Sequence, residues 1–343
     1  METTQPEQAQ AEITVLIPVY NKARYLSAAL DALLRQTFSG WVCHLLDDGS
    51  QDDSLKVAQA YASRDGRFRV KHQENQGVTR TLNRLLSEEI TTPYVMILDA
   101  DDLIHPELFA RSLALFRTEG VDMVEVFNDR VPETFTNDEI PALTHEPEVQ
   151  ILRDLSCFQT RSTAVGQWIN KCNKLYRYEP VKALRFDPQL TYEEDFWFNV
   201  LAHAACRSKA CIRACLYYYR TADGSLTQRV NFPRYVASGI RRIVLSHTFF
   251  LEEGRLLPEY REAYERDITR DAFRMILQKN LKKNWALKES RALFLQAADA
   301  LAKFVKQQAI FPKWLTRRQR LALKACIARH FWCCRLMVLI ASI

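Results

Sequence analysis

The stretch Leu98-Asp99-Ala100-Asp101-Asp102-Leu103 sets three carboxylates within four positions, directly behind the apolar run "YVMI". Crowded like charges make one another harder to ionise, so such a cluster costs stability unless a cation or a ring of donors offsets it. Asp99 and Asp101 are two apart with the small Ala100 between them. In extended backbone, alternate side chains share a face, so both carboxylates can address one ligand. Hard oxygen donors in that arrangement suit Mg²⁺ or Mn²⁺, which bind through one or two carboxylates completed by substrate phosphates. The plainer alternative is a solvated acidic turn, with Asp102 capping a helix that begins near Pro106.

Two further acidic groups have the same character. "DDGSQDDS" opens with the adjacent pair Asp47 and Asp48 at the end of an apolar run, where a carboxylate could accept from the imide N–H of a uracil. Tyr20, after "ITVLIPV", could stack on that base. "TYEEDFWFNVLAHAA" begins with acids and continues at helical spacing. A helix start explains its acids through the macrodipole, and Phe196, Trp197 and Phe198 as core.

The elements that must position these residues follow from alternating periods. Apolar β-rich runs at 13–19, 41–46, 68–72, 94–98 and 121–127 alternate with stretches of helical spacing at 23–36, from Asp53 or Ser54 onward, at 78–89 and at 106–117. This alternation predicts βαβ units and an α/β fold with a parallel sheet covered on both faces. In such sheets ligands bind at the carboxyl ends of the strands, where "PVYNK", "DDGSQDDS" and "DADD" all fall. Residues 129–160 read as a variable connection, "ACLYYYR" as a later strand, and the chain from about Asn231 as helical.

Taken in order, "ITVLIPVYNKARYLSAALDALLRQT", "HLLDDGSQDDS", "HQENQGVTRTLN", "YVMILDADD", "NKLY", "EEDFWF" and "YYYRTADGSLT" resemble the motifs of family 2 glycosyltransferases with the GT-A fold, across about residues 13–227. The resemblance implies a Rossmann-like, mixed and mostly parallel sheet flanked by helices, with a helical C-terminal extension. It implies 12–128 as the nucleotide-sugar half and 129–230 as the acceptor and catalytic-base half; the polar, acidic residues 1–11 read as a disordered tail and 231–343, by pattern, as a helical region with a basic amphipathic tail. Pro18, Val19 and Tyr20, with Asp47 or Asp48, would hold the base. Asp99 would approach the ribose and Asp101 would carry the Mn²⁺ or Mg²⁺, with Asp99 beside it and Ala100 between. Asp195 takes the position of the catalytic base, preceded by Glu194. The usual "ARN" of the third helix reads "TLN", leaving Arg80 or Arg84 as its replacement after Gly77. Lys174 and Arg220, with Ser225, are further candidates for the diphosphate.

The activity so implied is inverting transfer of one hexosyl or N-acetylhexosaminyl unit from a UDP-sugar to a glycan or lipid-linked acceptor, as in bacterial cell-surface polysaccharide or lipopolysaccharide assembly. A nucleotidyltransferase or a plain nucleotide-binding protein on the same sheet is the alternative. The former would carry a Gly-rich basic loop where this chain has "PVYNKARYL" and only nine glycines overall. "QWIN" at Gln167 is not the QxxRW motif of processive synthases.

At 343 residues, 48% apolar and 26% charged, the chain has a globular balance. Its nine cysteines contain no CxxC pair and read, without a secretory signal, as reduced thiols of a cytoplasmic protein. The net charge of +6 comes from Leu301–Ile343, which holds nine Lys or Arg and no Asp or Glu, so the preceding 300 residues sum to −3. That balance excludes a basic docking face for nucleic acid over the body. The last 13 residues, Phe331 to Ile343, form a mainly apolar run interrupted by Arg335, against the roughly 20 that a bilayer span needs. A basic amphipathic helix on an anionic membrane, peripheral to the cytoplasmic face of an inner membrane, is the expectation there.

Overall fold

The structure, a computed structural model, describes residues 11–153, 171–221, 232–255, 258–273, 295, 302 and 312–328. Most of the N-terminal tail, Gln167, Ser225 and the apolar end beyond residue 328 lie outside the described residues.

Four strands, β1 (Ile13–Val19), β2 (Trp41–Asp48), β3 (Phe68–Gln73) and β4 (Tyr94–Ile97), pair in parallel in the order β3-β2-β1-β4. The crossovers are α1 (Ala23–Leu34), α2 (Ser54–Ala62) and α3 (Val78–Leu86). "ITVLIPV" and "YVMI" are near-continuous apolar runs because their strands are covered on both faces, and Ile13, Val15, Leu16, Ile17, Val95 and Met96 are all buried. α1 buries Leu26, Leu30 and Leu33 at helical spacing.

Beyond β4 the sheet becomes mixed. After the two-residue β5 (Leu103–Ile104) and α4 (Leu108–Thr118) comes β6 (Met123–Pro132). Next follow β7 (Val149–Arg153), β8 (Lys174–Arg177) with the short α5 (Tyr178–Val181), α6 (Glu194–Ala205) and β9 (Ser208–Thr221). β8 lies antiparallel between β4 and β6, and β9 runs parallel to β6 but antiparallel to β5 and β7. The long ladders are parallel, so the α/β, mixed and mostly parallel sheet flanked by helices is as expected from the sequence.

Two local expectations differ. The stretch read as a variable connection holds the end of β6 and all of β7, an edge strand whose residues are at most half-buried and so lack a clear alternation. Asp102 caps no helix: α4 starts at Leu108, and the Asp102 carboxylate is buried elsewhere.

The chain forms two compact units. The first, Met1–Ser156, Val165–Pro188 and Phe198–Arg229, carries the sheet. The second, Cys157–Ala164, Gln189–Trp197 and Val230–Ile343, holds α7 (Phe232–His247), a π-helical turn (Thr248–Glu252), α8 (Arg261–Phe273) and α9 (Arg317–Ile327).

Candidate active site

Register places the acidic loops side by side. Val19 ends β1 opposite Asp47 on β2, and Leu98, one residue past β4, donates its N–H to Leu16 O at 3.0 Å. The loops after β1 and β2 are tied together. Asn21, left-handed at φ 51°, donates its N–H to Ser50 Oγ (3.0 Å) and accepts from Gln51 N at Oδ1 (2.8 Å). Asn tolerates that conformation better than most residues. Asp52 accepts from Ala23 N and Ser54 N, both at 3.0 Å, so one carboxylate serves the starts of α1 and α2. This part of "DDGSQDDS" is scaffold.

The adjacent pair Asp47 and Asp48 divides by partner. Asp48 uses both oxygens, accepting at Oδ1 from Gln73 Nε2 (2.7 Å) and Gln76 N (2.8 Å), and at Oδ2 from Gly77 N (2.9 Å). It fixes the turn into α3, which Gly77 enters at φ 87°. Asp47 Oδ2 meets His72 Nδ1 at 2.7 Å and Ser50 N at 3.2 Å, while its buried Oδ1 has no partner among the described residues. A buried acceptor without a donor is costly, and is expected where a ligand supplies one. Tyr20, 44% exposed, stands on the neighbouring strand end, while Val19 is buried. Arg84 Nη1 donates to Gln73 Oε1 at 2.7 Å and so joins the Asp48 network, whereas Arg80 is exposed on α3.

The acid cluster distributes its charge. Asp99, with 28% of its side chain exposed, faces Lys171 Nζ at 3.1 Å, and Asp101, at 15%, is ion-paired with Lys22. Burial pushes the Asp99 carboxyl up, but Lys171, Cys172 and Lys22 together hold it below the usual carboxylate range. Asp102 is buried, accepting from Tyr217 Oη and, at 2.9 Å, from Arg220 N. Burial, then the charges of Asp101 and Asp99, raise it well above its ordinary value. Three carboxylates are tolerated because two face ammonium groups and the third is buried against a hydroxyl and a backbone N–H that donate to it.

Neither lysine was singled out from the sequence. Lys22 stands in the quoted "PVYNK", and Lys171 is three residues before Lys174. Lys174 is placed inside the sheet: fully buried, its Nζ is 2.8 Å from Asn173 Oδ1 and 3.5 Å from Glu125 Oε1. Arg220 is buried as well, donating to Phe135 O at 3.1 Å and lying over the Tyr25 ring. Pro18 is half-buried and Ala100 buried.

The donor set fits a divalent cation. Asp99 and Asp101 are two partly exposed carboxylates, and among the described residues no group of three or more His, Cys, Asp or Glu could hold a metal alone. Mg²⁺ and Mn²⁺ are characteristically held this way, by one or two carboxylates with phosphate oxygens and water completing the shell.

Glu194 and Asp195 occupy the first turn of α6 and belong to the second unit with Gln189–Trp197. The structure thus gathers Pro18 to Tyr20, Asp47, Asp48, Gly77 and Asp99 to Asp101 in the first unit and the proposed base pair in the second.

Comparison with known proteins adds to this geometry. Residues 14–169 match the profile of glycosyl transferase family 2. The chain is 29% identical over 292 residues to EpsH of Bacillus subtilis (strain 168), which bears a glycosyltransferase name, covering 82% of this chain and 80% of EpsH. It is 28% identical over 223 residues to the uncharacterized glycosyltransferase EpsJ of the same organism, covering 63% of each. In fold it is similar to S. aureus TarS 1–349 in complex with UDP-GlcNAc, with a TM-score of 0.68 at 17% identity, covering 95% of this chain and 90% of that one. The mannosyltransferase PcManGT of Pyrobaculum calidifontis, in complex with GDP-Man and Mn²⁺, gives a TM-score of 0.52 at 17% identity, covering 94% and 85%.

Proposed function

The chain belongs to the family 2 glycosyltransferases, and from that premise we propose that it transfers a single sugar from a UDP-sugar to a glycan or lipid-linked acceptor with inversion at the anomeric carbon. The observation that carries the donor assignment is Asp47 Oδ1, buried and without a donor among the described residues, beside the exposed Tyr20. A uracil offers an imide N–H to that oxygen and a π-face to the tyrosine. Complexes of the similarly folded TarS with UDP-GlcNAc and with UDP support this donor class.

Asp99 and Asp101 would hold Mn²⁺ or Mg²⁺, which when bound supplies Lewis-acid stabilisation of the leaving diphosphate. Lys22 and Lys171, paired with these carboxylates, would stand beside a diphosphate bound there and offset its charge. The acceptor hydroxyl forms the new bond to C1 of the sugar as the C1–O bond to the nucleoside diphosphate breaks, and the hydroxyl proton goes to Asp195. A base in reach contributes about 10²–10⁴-fold. Glu194 shares the first turn of α6 with Asp195.

Calorimetric titration of UDP, GDP and TDP with Mn²⁺, then with EDTA, tests the reading. UDP binding lost with EDTA and in Asp101→Ala, and weakened at least tenfold in Asp47→Asn, is the expected result. Asp195→Asn should abolish transfer with UDP affinity within twofold. Parallel loss of nucleotide binding would make Asp195 structural.

A lipid-linked acceptor would make membrane contact useful, and the uniformly basic Leu301–Ile343 suits an anionic surface. Flotation with phosphatidylglycerol vesicles should fall on deletion of residues 312–343. Unchanged partitioning would exclude the tail as the contact.

A further inference from the structure

Glu193, directly before the Glu194–Asp195 pair, has a left-handed backbone (φ 61°) although it is not glycine. A side chain there is disfavoured by its own Cβ, and such residues persist only where the surroundings hold them. Within the second unit those surroundings come from one stripe of α7. Ser238 Oγ, buried, accepts from Thr191 N (2.9 Å) and Tyr192 N (3.2 Å). Arg242, also buried, ion-pairs with the Glu193 carboxylate through Nε and lies 5.1 Å from the centre of the Phe196 ring. Tyr235 meets Tyr192 edge to face at 5.6 Å. Positions 235, 238 and 242 follow helical spacing and so face one side of α7. Trp197, at the end of the segment, packs edge to face on Phe249 at 5.8 Å.

We propose that Arg242, with Ser238, is a positioning residue of the transfer reaction, holding the left-handed turn at Glu193 so that the first turn of α6 presents Glu194 and Asp195 in their working pose. This rests on Asp195 being the base. Packing alone would be served by an apolar residue at 242. A buried guanidinium fastened to the carboxylate of the one left-handed residue in the turn instead fixes that residue's backbone, and with it the direction in which α6 starts. Ser238 acts on the same turn from the other side of Glu193 by accepting two successive backbone N–H groups that lie ahead of the helix.

The test uses the full chain with Mn²⁺ and a panel of UDP-glucose, UDP-galactose and UDP-N-acetylglucosamine, reading UDP release to water, alongside calorimetric UDP affinity. Arg242→Met should lower kcat at least tenfold with donor KM and UDP affinity within twofold, and Arg242→Lys should recover part of the loss. Adding Glu193→Gly to Arg242→Met should restore kcat at least threefold, because glycine adopts the left-handed conformation without a clamp. A kcat within twofold of wild type in Arg242→Met, or a parallel fall of kcat and UDP affinity without rescue by glycine, overturns the proposal. Asp195→Asn is the control. If it keeps wild-type kcat, the base assignment has failed. If it abolishes release while Arg242→Met does not, only the clamp has failed. Should wild type release no UDP from the panel, amide exchange across 191–197 decides: it must quicken at least tenfold in Arg242→Met and return toward wild type with Glu193→Gly, and unchanged exchange overturns the proposal.

Discussion

At the scale of single residues, the chemistry of the Asp99–Asp102 cluster depends on which counter-charge each carboxylate meets. Lys171 is buried and 3.1 Å from Asp99 Oδ1, so Lys171→Met would leave a half-buried carboxylate without its ammonium. The expected cost is about 1–3 kcal/mol in denaturant unfolding of the metal-free protein. Mn²⁺ with UDP should reduce that deficit by replacing the lost cation. An unchanged unfolding midpoint would mean that the ion pair is not what offsets the cluster. "LDADDL" was legible as a ligand site because three acids behind a buried strand have few structural uses. Its lysines were not legible, since one arrives from the β1 loop and the other from the approach to β8, and no local spacing relates either to residue 99 or 101. The choice between Asp47 and Asp48 was closed to sequence for a related reason. The two differ only in which face of the β2 end meets Gln73, Gln76 and Gly77.

At the scale of elements, the pocket edge is made of loops that hold one another. Asn75 Nδ2 donates to Asp48 O at 2.9 Å, bringing the β3 loop against the β2 loop at Gly49. Gly49 has φ +71°, and a Cβ there would sit 2.7 Å from Asn75 N, closer than real contacts allow. Gly49→Ala should therefore cost about 2–4 kcal/mol, from left-handed strain and the forced separation of the two loops, and should weaken UDP binding. Gly66→Ala is the control. Nothing lies within 4 Å of where a Cβ would sit there, and the variant should stay within about 0.5 kcal/mol of wild type. Equal unfolding midpoints for the two variants would refute the close-approach account. The first four strands and their helices could be read from the sequence because doubly covered strands write long apolar runs and the helices between them write a 3.6-residue period. β5, with two residues, and β7, half-exposed at an edge, leave no such pattern. The antiparallel placement of β8 between β4 and β6 depends on contacts far apart in sequence, which periodicity does not encode.

At the scale of the whole molecule, stability depends on pH through groups that the fold keeps from water. His203, on α6, donates from Nδ1 to Asn199 O at 2.8 Å and faces Lys209 at 3.5 Å; Lys209 in turn pairs with Glu125 at 2.9 Å, beside Lys174. Burial first, and the Lys209 ammonium second, push the His203 imidazole down to about 3. A histidine held neutral when folded but free to protonate near its ordinary 6.5 when unfolded stabilises the fold fully above that value. As pH falls from 6.5 toward 3 the unfolded chain takes up the proton first, and stability is lost at a slope approaching about 1.4 kcal/mol per pH unit. His44 and His105, also lowered chiefly by burial, act in the same direction, so the wild-type slope is a sum. His203→Gln isolates one contribution, because an amide can still donate toward Asn199 O and accept from Lys209 but takes up no proton. Unfolding free energy measured from pH 7 to pH 4.5 should fall less steeply in the variant, by an amount approaching the single-proton slope below pH 6. Glu125 and Asp99, both held below their ordinary values, lose their contributions only at lower pH and do not obscure that window. Parallel curves for the two proteins would mean that His203 becomes protonated in the fold and shares Glu125 with the two lysines.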